Sequence, residues 1–246
     1  MPDQIDDFFQ SKVHEAFRMR CNGINLFQFS MITVEQFNQL IKLLGLQPKM
    51  SVLDVGCGTG GIAHEICRRT GAKVTGIDIA EDLVHLGSSQ YKDSVQLRTM
   101  SYESLEFLPN SFDRIYCVDA LYFTDHLGDV LKNLLELLKP DGLACIFWTQ
   151  RIEENDNPQK LQPSQTDLAE VLDQLNTTYQ AVNFTSEEHA FWKTVHSSLE
   201  EFEADFKAEG SEEFFEAIKW ESDLFINYVW SNRLSRHLYQ IGPLHT

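Results

Sequence analysis

Two carboxylates and a run of glycines are the residues best placed to do chemistry. Asp54 stands two residues before Gly56 in the stretch Ser51-Val52-Leu53-Asp54-Val55-Gly56-Cys57-Gly58-Thr59-Gly60-Gly61. Glycines allow a backbone to approach a ligand closely, and a helix starting behind them offers unpaired N–H groups. Asp78 follows eighteen residues after Gly60, at the end of Lys73-Val74-Thr75-Gly76-Ile77. A carboxylate there can accept hydrogen bonds from both hydroxyls of a ribose. Further on, Asp119 and Tyr122 lie in Val118-Asp119-Ala120-Leu121-Tyr122-Phe123, directly after another apolar run. The pattern is that of a nucleotide site built at strand ends.

The glycines do not choose the nucleotide. Gly56, Gly58 and Gly61 satisfy G-x-G-x-x-G, the pattern of NAD and FAD sites, while Gly56, Gly58 and Gly60 satisfy G-x-G-x-G. Asp54 separates the two. A dinucleotide places a doubly charged pyrophosphate at such a loop, which a carboxylate would repel. A cofactor carrying an ammonium and a sulfonium would be attracted. A helix-capping Asp54 and a solvated strand-end Asp78 are the plainer readings, and they explain the combination with the glycines less well.

These residues need a frame, and the chain supplies alternating strands and helices. Strands are expected at 51–55, 73–77, 95–99, 114–118 and 143–148, and helices at 61–69, 81–91 and 127–138, from apolar runs and from helical spacing. Upstream, a helix is expected over 3–20, and a second over 33–44 with Thr33 and Gln36 as a capping box and Gly45 as its stop. Lys139-Pro140-Asp141-Gly142 reads as a turn, and 150–165 as a long loop. A helix at 166–176, a strand at 179–184, two aromatic-rich helices and a last strand near 236–241 complete the chain. Alternation of this kind specifies an α/β fold: a mostly parallel sheet, helices on both faces, and ligands beyond the carboxyl ends of the strands.

Four motifs in order, Val52 to Gly60, Val74-Thr75-Gly76-Ile77-Asp78-Ile79, Leu108-Pro109-Asn110-Ser111-Phe112-Asp113 and Leu137-Leu138-Lys139-Pro140-Asp141-Gly142, resemble the class I S-adenosylmethionine-dependent methyltransferases, in particular their small-molecule group. The resemblance implies a Rossmann-like seven-stranded sheet with an antiparallel last strand, and S-adenosyl-L-methionine as cofactor. It implies Asp54 and the backbone of Gly56, Gly58 and Gly60 near the methionine part, Asp78 on the ribose, and Ile79 on the adenine. Many relatives place an aspartate after the third strand to receive the adenine amino group; Ser101 and Tyr102 stand there instead, with Glu103 as a substitute. Val118 is assigned to the cofactor side. Gln28-Phe29-Ser30 resembles an aromatic–serine segment that closes over the cofactor, making Phe29 either a partner for the sulfonium or a core residue.

Methyl transfer from a sulfonium needs orientation and desolvation more than a catalytic triad. The acceptor side is expected after the fourth strand, with Asp119 and Tyr122 as the catalytic candidates; a turn or capping role competes for Asp119. The expected domain is single: cap helices over 1–47, a core over 48–185 and 233–246, and a helical lid over 186–232. That lid holds Trp192, Trp220, Phe225, Tyr228 and Trp230, and between Ser186 and Asp223 it carries twelve acidic residues against three basic ones.

Composition narrows the partners. A net charge of −17 over 246 residues argues against nucleic acid and against anionic membranes. Five scattered cysteines, none in a C-x-x-C pair, suggest neither disulfides nor a metal site, and a reducing, cytoplasmic setting. The start of the chain is acidic and amphipathic, so no signal peptide is expected. A small-molecule methyl acceptor, an amine or a hydroxyl, is the expected partner. An oxidoreductase with NAD or FAD, another reaction of the same cofactor, and a non-catalytic regulator are the competing readings.

Overall fold

The computed structural model describes residues 10–28, 30–92 and 94–242. The sheet has seven strands: β1 (Ser51–Val55), β2 (Lys73–Asp78), β3 (Gln96–Thr99), β4 (Phe112–Cys117), β5 (Leu138–Arg151), β6 (Tyr179–Asn183) and β7 (Leu234–Ile241). Their order is β3-β2-β1-β4-β5-β7-β6. The first five pair in parallel, and β7 runs antiparallel between β5 and β6. The Rossmann-like sheet with an antiparallel last strand is therefore present.

Alternation of side chains along the strands builds a core on each face. Leu53, Val55, Ile115, Cys117, Ile146 and Trp148 point to one face, where helices α5 (Leu127–Glu136) and α6 (Asp167–Gln174) cover them with Val130, Leu131, Leu134, Leu168 and Leu172. Val52, Val74, Tyr116, Cys145 and Phe147 point to the other, under α2 (Val34–Leu44) and α3 (Gly61–Thr70). Helix α4 (Glu81–Tyr91) supports β2 and β3 at the sheet edge. Thr33 caps α2 through the expected box with Gln36, and Gly45 ends it in the left-handed conformation at φ 56°.

A third core lies above the carboxyl ends of the strands. Helix α1 (Lys12–Asn22) packs on α7 (Thr185–Glu209), with Phe17 set edge-on to Phe202 and Phe206 at ring distances of 5.4 and 5.9 Å. Helix α8 (Glu212–Trp230) completes the cluster with Phe215, Ile218, Ile226 and Val229. The aromatic spacing in this acidic stretch thus forms a core of its own.

Two boundaries differ from the sequence expectation. β5 begins at Leu138 and not at 143, and the expected turn at 139–142 lies inside it as a bulge: Phe112 pairs with Leu138 and Arg114 with Leu143, so the ladder skips these four residues, while Lys139 pairs with Asp113 at 2.8 Å. The first helix begins at Lys12 after Ser11 as cap and runs to Asn22; residues 1–9 lie outside the described residues. Among the described residues no helix is long and apolar enough to cross a membrane.

Candidate functional site

The amides of the glycine loop are largely taken by partners within the chain. Gly56 and Cys57 N–H bond the Ile77 carbonyl at 2.9 and 3.0 Å, and Gly60 N–H bonds the Cys57 carbonyl at 2.8 Å. Gly58 N–H is taken by Asp78 Oδ2 at 2.8 Å, and Ile62 N–H, in the first turn of α3, by Gln28 Oε1 at 2.9 Å. A pyrophosphate at this loop would have to displace a carboxylate and a carboxamide. Gly56 sits at φ 74° and a side chain there would meet Ala120, so glycine is required for both conformation and space.

Asp54 lies beneath the loop, 2% exposed, and its Oδ2 has no hydrogen-bond partner among the described residues. Burial raises its pKa from 3.8 to about 7; the Tyr116 hydroxyl opposes this rise and the Asp78 carboxylate adds to it. Such a group favours a positive charge brought close to it.

The remaining sequence candidates gather around one cavity of about 480 Å³ at the ends of β1, β2 and β4. Gly56, Gly58, Asp78, Ile79, Ser101, Tyr102 and Val118 line it. Ile79 is 77% exposed, an apolar surface for a flat ring to cover. Ser101 Oγ accepts from Glu103 N–H, and Tyr102 is held by the Ala120 carbonyl. Gly60 turns the loop but does not line the cavity, Asp54 lies behind it, and Phe29 falls outside the described residues. Gln28 and Thr59, named above only within their motifs, also line it, as do Leu83 and Met100, which were not singled out from sequence; Leu83, one turn into α4 beyond Asp78, carried a positional hint.

Asp119 is neither a free carboxylate nor a cap. Arg236, 0% exposed on β7, grips it with two contacts, Nη1 to Oδ1 at 2.7 Å and Nη2 to Oδ2 at 2.9 Å. Arg236 Nε lies 3.2 Å from Oε2 of the fully buried Glu188, and Nη1 also reaches Thr149 Oγ1 at 2.7 Å. Burial opposes the charge on Arg236, yet the Asp119 and Glu188 carboxylates outweigh it. Glu188 accepts from Trp192 and Gln36, and burial pushes its pKa up against the pull of Arg236. Tyr122 closes the network: its hydroxyl accepts from Thr149 N–H at 2.6 Å and donates to Asp119 Oδ1 at 3.3 Å. Burial, then the Asp119 charge, raises the Tyr122 pKa, so the phenol stays protonated. Arg236 and Glu188 carried no motif; charged residues inside an apolar strand and an aromatic helix were the available signal.

A second cavity of about 490 Å³ opens on the far side of Asp119, under α1, α7 and α8. Phe17, Phe191, Trp192, Phe225, Met31 and Ile218 give it an apolar wall, and Tyr122, Thr149, Arg18, Arg151 and Glu221 supply its polar groups. The two cavities share Asp119 and Phe123.

A strand-end cavity on this sheet order, next to a second cavity under added helices, is the arrangement that the resemblance to the class I S-adenosylmethionine-dependent methyltransferases implied. The sequence agrees: residues 52–142 match the model of the methyltransferase domain family. The chain is 33% identical over 138 residues to a sterol 24-C-methyltransferase of Yarrowia lipolytica, covering 53% of this chain and 36% of that protein. It is 32% identical over 123 residues to the Saccharomyces cerevisiae sterol 24-C-methyltransferase, covering 47% and 32%. The chain thus spans about a third of the length of these curated relatives, by the same coverage figures. Among solved structures, phosphoethanolamine N-methyltransferase 2 of Haemonchus contortus, in complex with S-adenosylhomocysteine, has a TM-score of 0.77 at 18% identity over 99% of this chain and 60% of that one. The cyclopropane synthase MmaA2 of Mycobacterium tuberculosis has a TM-score of 0.71 at 14% identity over 98% and 97%. These likenesses support the fold across the whole described chain.

Proposed function

We propose that the protein transfers a methyl group from S-adenosyl-L-methionine to a small molecule held in the second cavity. The observation that carries this reading is the wall common to the two cavities: Asp119 and Phe123 face both. The cofactor would supply a methyl group on a sulfonium, a centre already activated for displacement. The chain's own part is to bind, orient and exclude water. Asp78 would accept from the ribose hydroxyls, Ile79 and Leu83 would cover the base, and Asp54 would face the cationic methionine end.

Among the described residues no free base stands at the shared wall. Asp119 is held by Arg236, and the Tyr122 hydroxyl is engaged on both sides. We therefore read Asp119 and Tyr122 as the pair that shapes the transfer point, rather than as a proton acceptor. Of the two expected acceptors, this favours an amine over a hydroxyl, since a neutral amine attacks without first losing a proton. The apolar wall supports this, because burial keeps an amine uncharged. A carbon acceptor is the second reading: a double bond also attacks without a base, the relatives above are named for methylation at carbon, and the aromatic wall suits a cationic product. The helix pair over 186–232 acts as the lid in this scheme. The acidic surface and the free cysteines support a cytoplasmic enzyme with no nucleic-acid or membrane partner.

Calorimetry with S-adenosylhomocysteine and with NAD tests the cofactor, and binding of NAD alone would overturn the reading. A methyl-transfer screen over amines, phenols, thiols, carboxylates and alkenes, followed by the formation of S-adenosylhomocysteine, tests the acceptor.

A further inference from the structure

The second cavity has a polar end that the transfer point does not use. Arg18 on α1 is fixed there. Its Nε donates to His14 Nε2 at 3.1 Å, and its Nη1 donates to the Ser30 carbonyl at 3.1 Å. His14 is buried and its pKa is lowered to about 2, by burial and then by Arg18, so its ring stays a neutral acceptor. The Nη2 of Arg18 has no acceptor among the described residues. Across the cavity, Glu221 on α8 interacts with Arg18 electrostatically, yet forms no ion pair or hydrogen bond with any described residue. Both groups line the second cavity and neither lines the first. A donor and an acceptor thus stand unspent, facing the same apolar space.

Charge decides what fits between them. A cation would meet Arg18 and also Arg151, whose guanidinium stacks on Phe225 and Tyr228 at 5.2 and 5.4 Å. An anion would meet Glu221, which keeps its carboxylate without a partner. A neutral group that donates and accepts at once satisfies both, and it is the least costly to move from water into an apolar cavity.

We propose that Arg18 and Glu221 anchor a neutral hydroxyl on an otherwise apolar acceptor substrate, at the end of the molecule remote from the methylated atom. This rests on the assignment of the second cavity to the acceptor. Glu221 accepts from the hydroxyl and Arg18 donates to it. The pair sets specificity and orientation, and the atom that receives the methyl group lies at Asp119 and Phe123.

The probes are 1-octanol, methyl octyl ether, octanoate and octylammonium, titrated with and without S-adenosylhomocysteine and followed by the fluorescence of Trp192 and Trp220, which line the cavity. Octanol is expected to bind about tenfold more tightly than the ether, the effect of a hydrogen bond to a charged group, and more tightly than either ion. Glu221→Leu and Arg18→Met are each expected to bring alcohol and ether together, while Glu221→Gln, which still accepts a hydrogen bond, retains the preference. Affinity for S-adenosylhomocysteine should stay unchanged in Glu221→Leu, which also shows that the variant folds. Equal binding of alcohol and ether to the unaltered protein, tighter binding of either ion, or a preference that survives both variants would overturn the proposal. Failure to bind S-adenosylhomocysteine with the alcohol preference intact would instead remove the methyl-transfer reading and leave the anchor standing.

Discussion

Arg236 and Asp119 are 117 positions apart in the chain, and they meet in a two-point contact of 2.7 and 2.9 Å at the wall between the two cavities. The arginine comes from the last strand and the aspartate from the loop after β4. Asp119 sits at φ 58°, a left-handed conformation that the paired geometry holds in place. The contact therefore ties the end of the sheet to the proposed point of methyl transfer.

Removing Arg236 should be severe. Arg236→Met would leave Asp119 and the buried Glu188 without their counter-charge, and breaking a buried pair in this way costs about 3–5 kcal/mol. Neutralising all three in Arg236→Met/Asp119→Asn/Glu188→Gln should recover much of the loss, since asparagine tolerates the left-handed turn. Urea unfolding of the single and triple variants checks this; equal losses would show that shape, not charge, dominates.

Asp54 should make stability depend on pH. Its folded-state pKa, raised to about 7 by burial, lies above its ordinary value of 3.8. The fold therefore holds the proton more tightly than the unfolded chain does. Stability from this group is complete below the ordinary value and is lost as pH rises through about 7. Asp54→Asn should match the parent near the ordinary carboxylate range, gain on it up to neutrality, and level off above at roughly 3–5 kcal/mol. Thermal melting across that range measures the difference.

Asp78→Ala should weaken S-adenosylhomocysteine by about 1–3 kcal/mol, the usual loss when a charged acceptor disappears. It also frees the Gly58 and Ala80 amides, which the carboxylate now accepts from at 2.8 and 2.9 Å. Calorimetry reads the change, and unaltered affinity would refute the ribose assignment.

Gly61→Ala tests a contact that does not depend on backbone conformation. A Cβ at Gly61 would fall 1.5 Å from the Leu26 carbonyl oxygen. The segment carrying Leu26 and Gln28 must then move, so the first cavity, the one proposed for the cofactor, loses one lining side chain. Both the melting temperature and the affinity for S-adenosylhomocysteine should fall. A change in melting temperature alone would show that Gln28 does not contribute to the cofactor.

The parallel strands were legible because a strand buried on both faces is a continuous apolar run, as in Val52-Leu53-Asp54-Val55. The placement of Asp78 and Ile79 on the first cavity was legible because the ends of parallel strands border such clefts. The acceptor side was not, because its groups come from four elements far apart in sequence: Arg18, Tyr122, Arg151 and Glu221. Asp119 shows why a motif position does not fix a role. Its neighbours in sequence suggest a turn, and only the fold brings Arg236 to it. The turn chemistry of Pro140-Asp141-Gly142 shows as the bulge at which β5 skips from Leu138 to Leu143 against β4; that a strand residue precedes it was not legible.

Thr59 Oγ1 donates to the Phe27 carbonyl at 2.6 Å, and Gln28 accepts from Ile62. These two bonds fasten the chain ahead of β1 onto the loop and helix behind it. A fragment cut to the matched residues 52–142 would retain every glycine of the loop, yet lose the Gln28 wall and leave the Thr59 hydroxyl and the Ile62 amide without partners. The smallest unit able to close this cavity begins well upstream of the residues that match the family model.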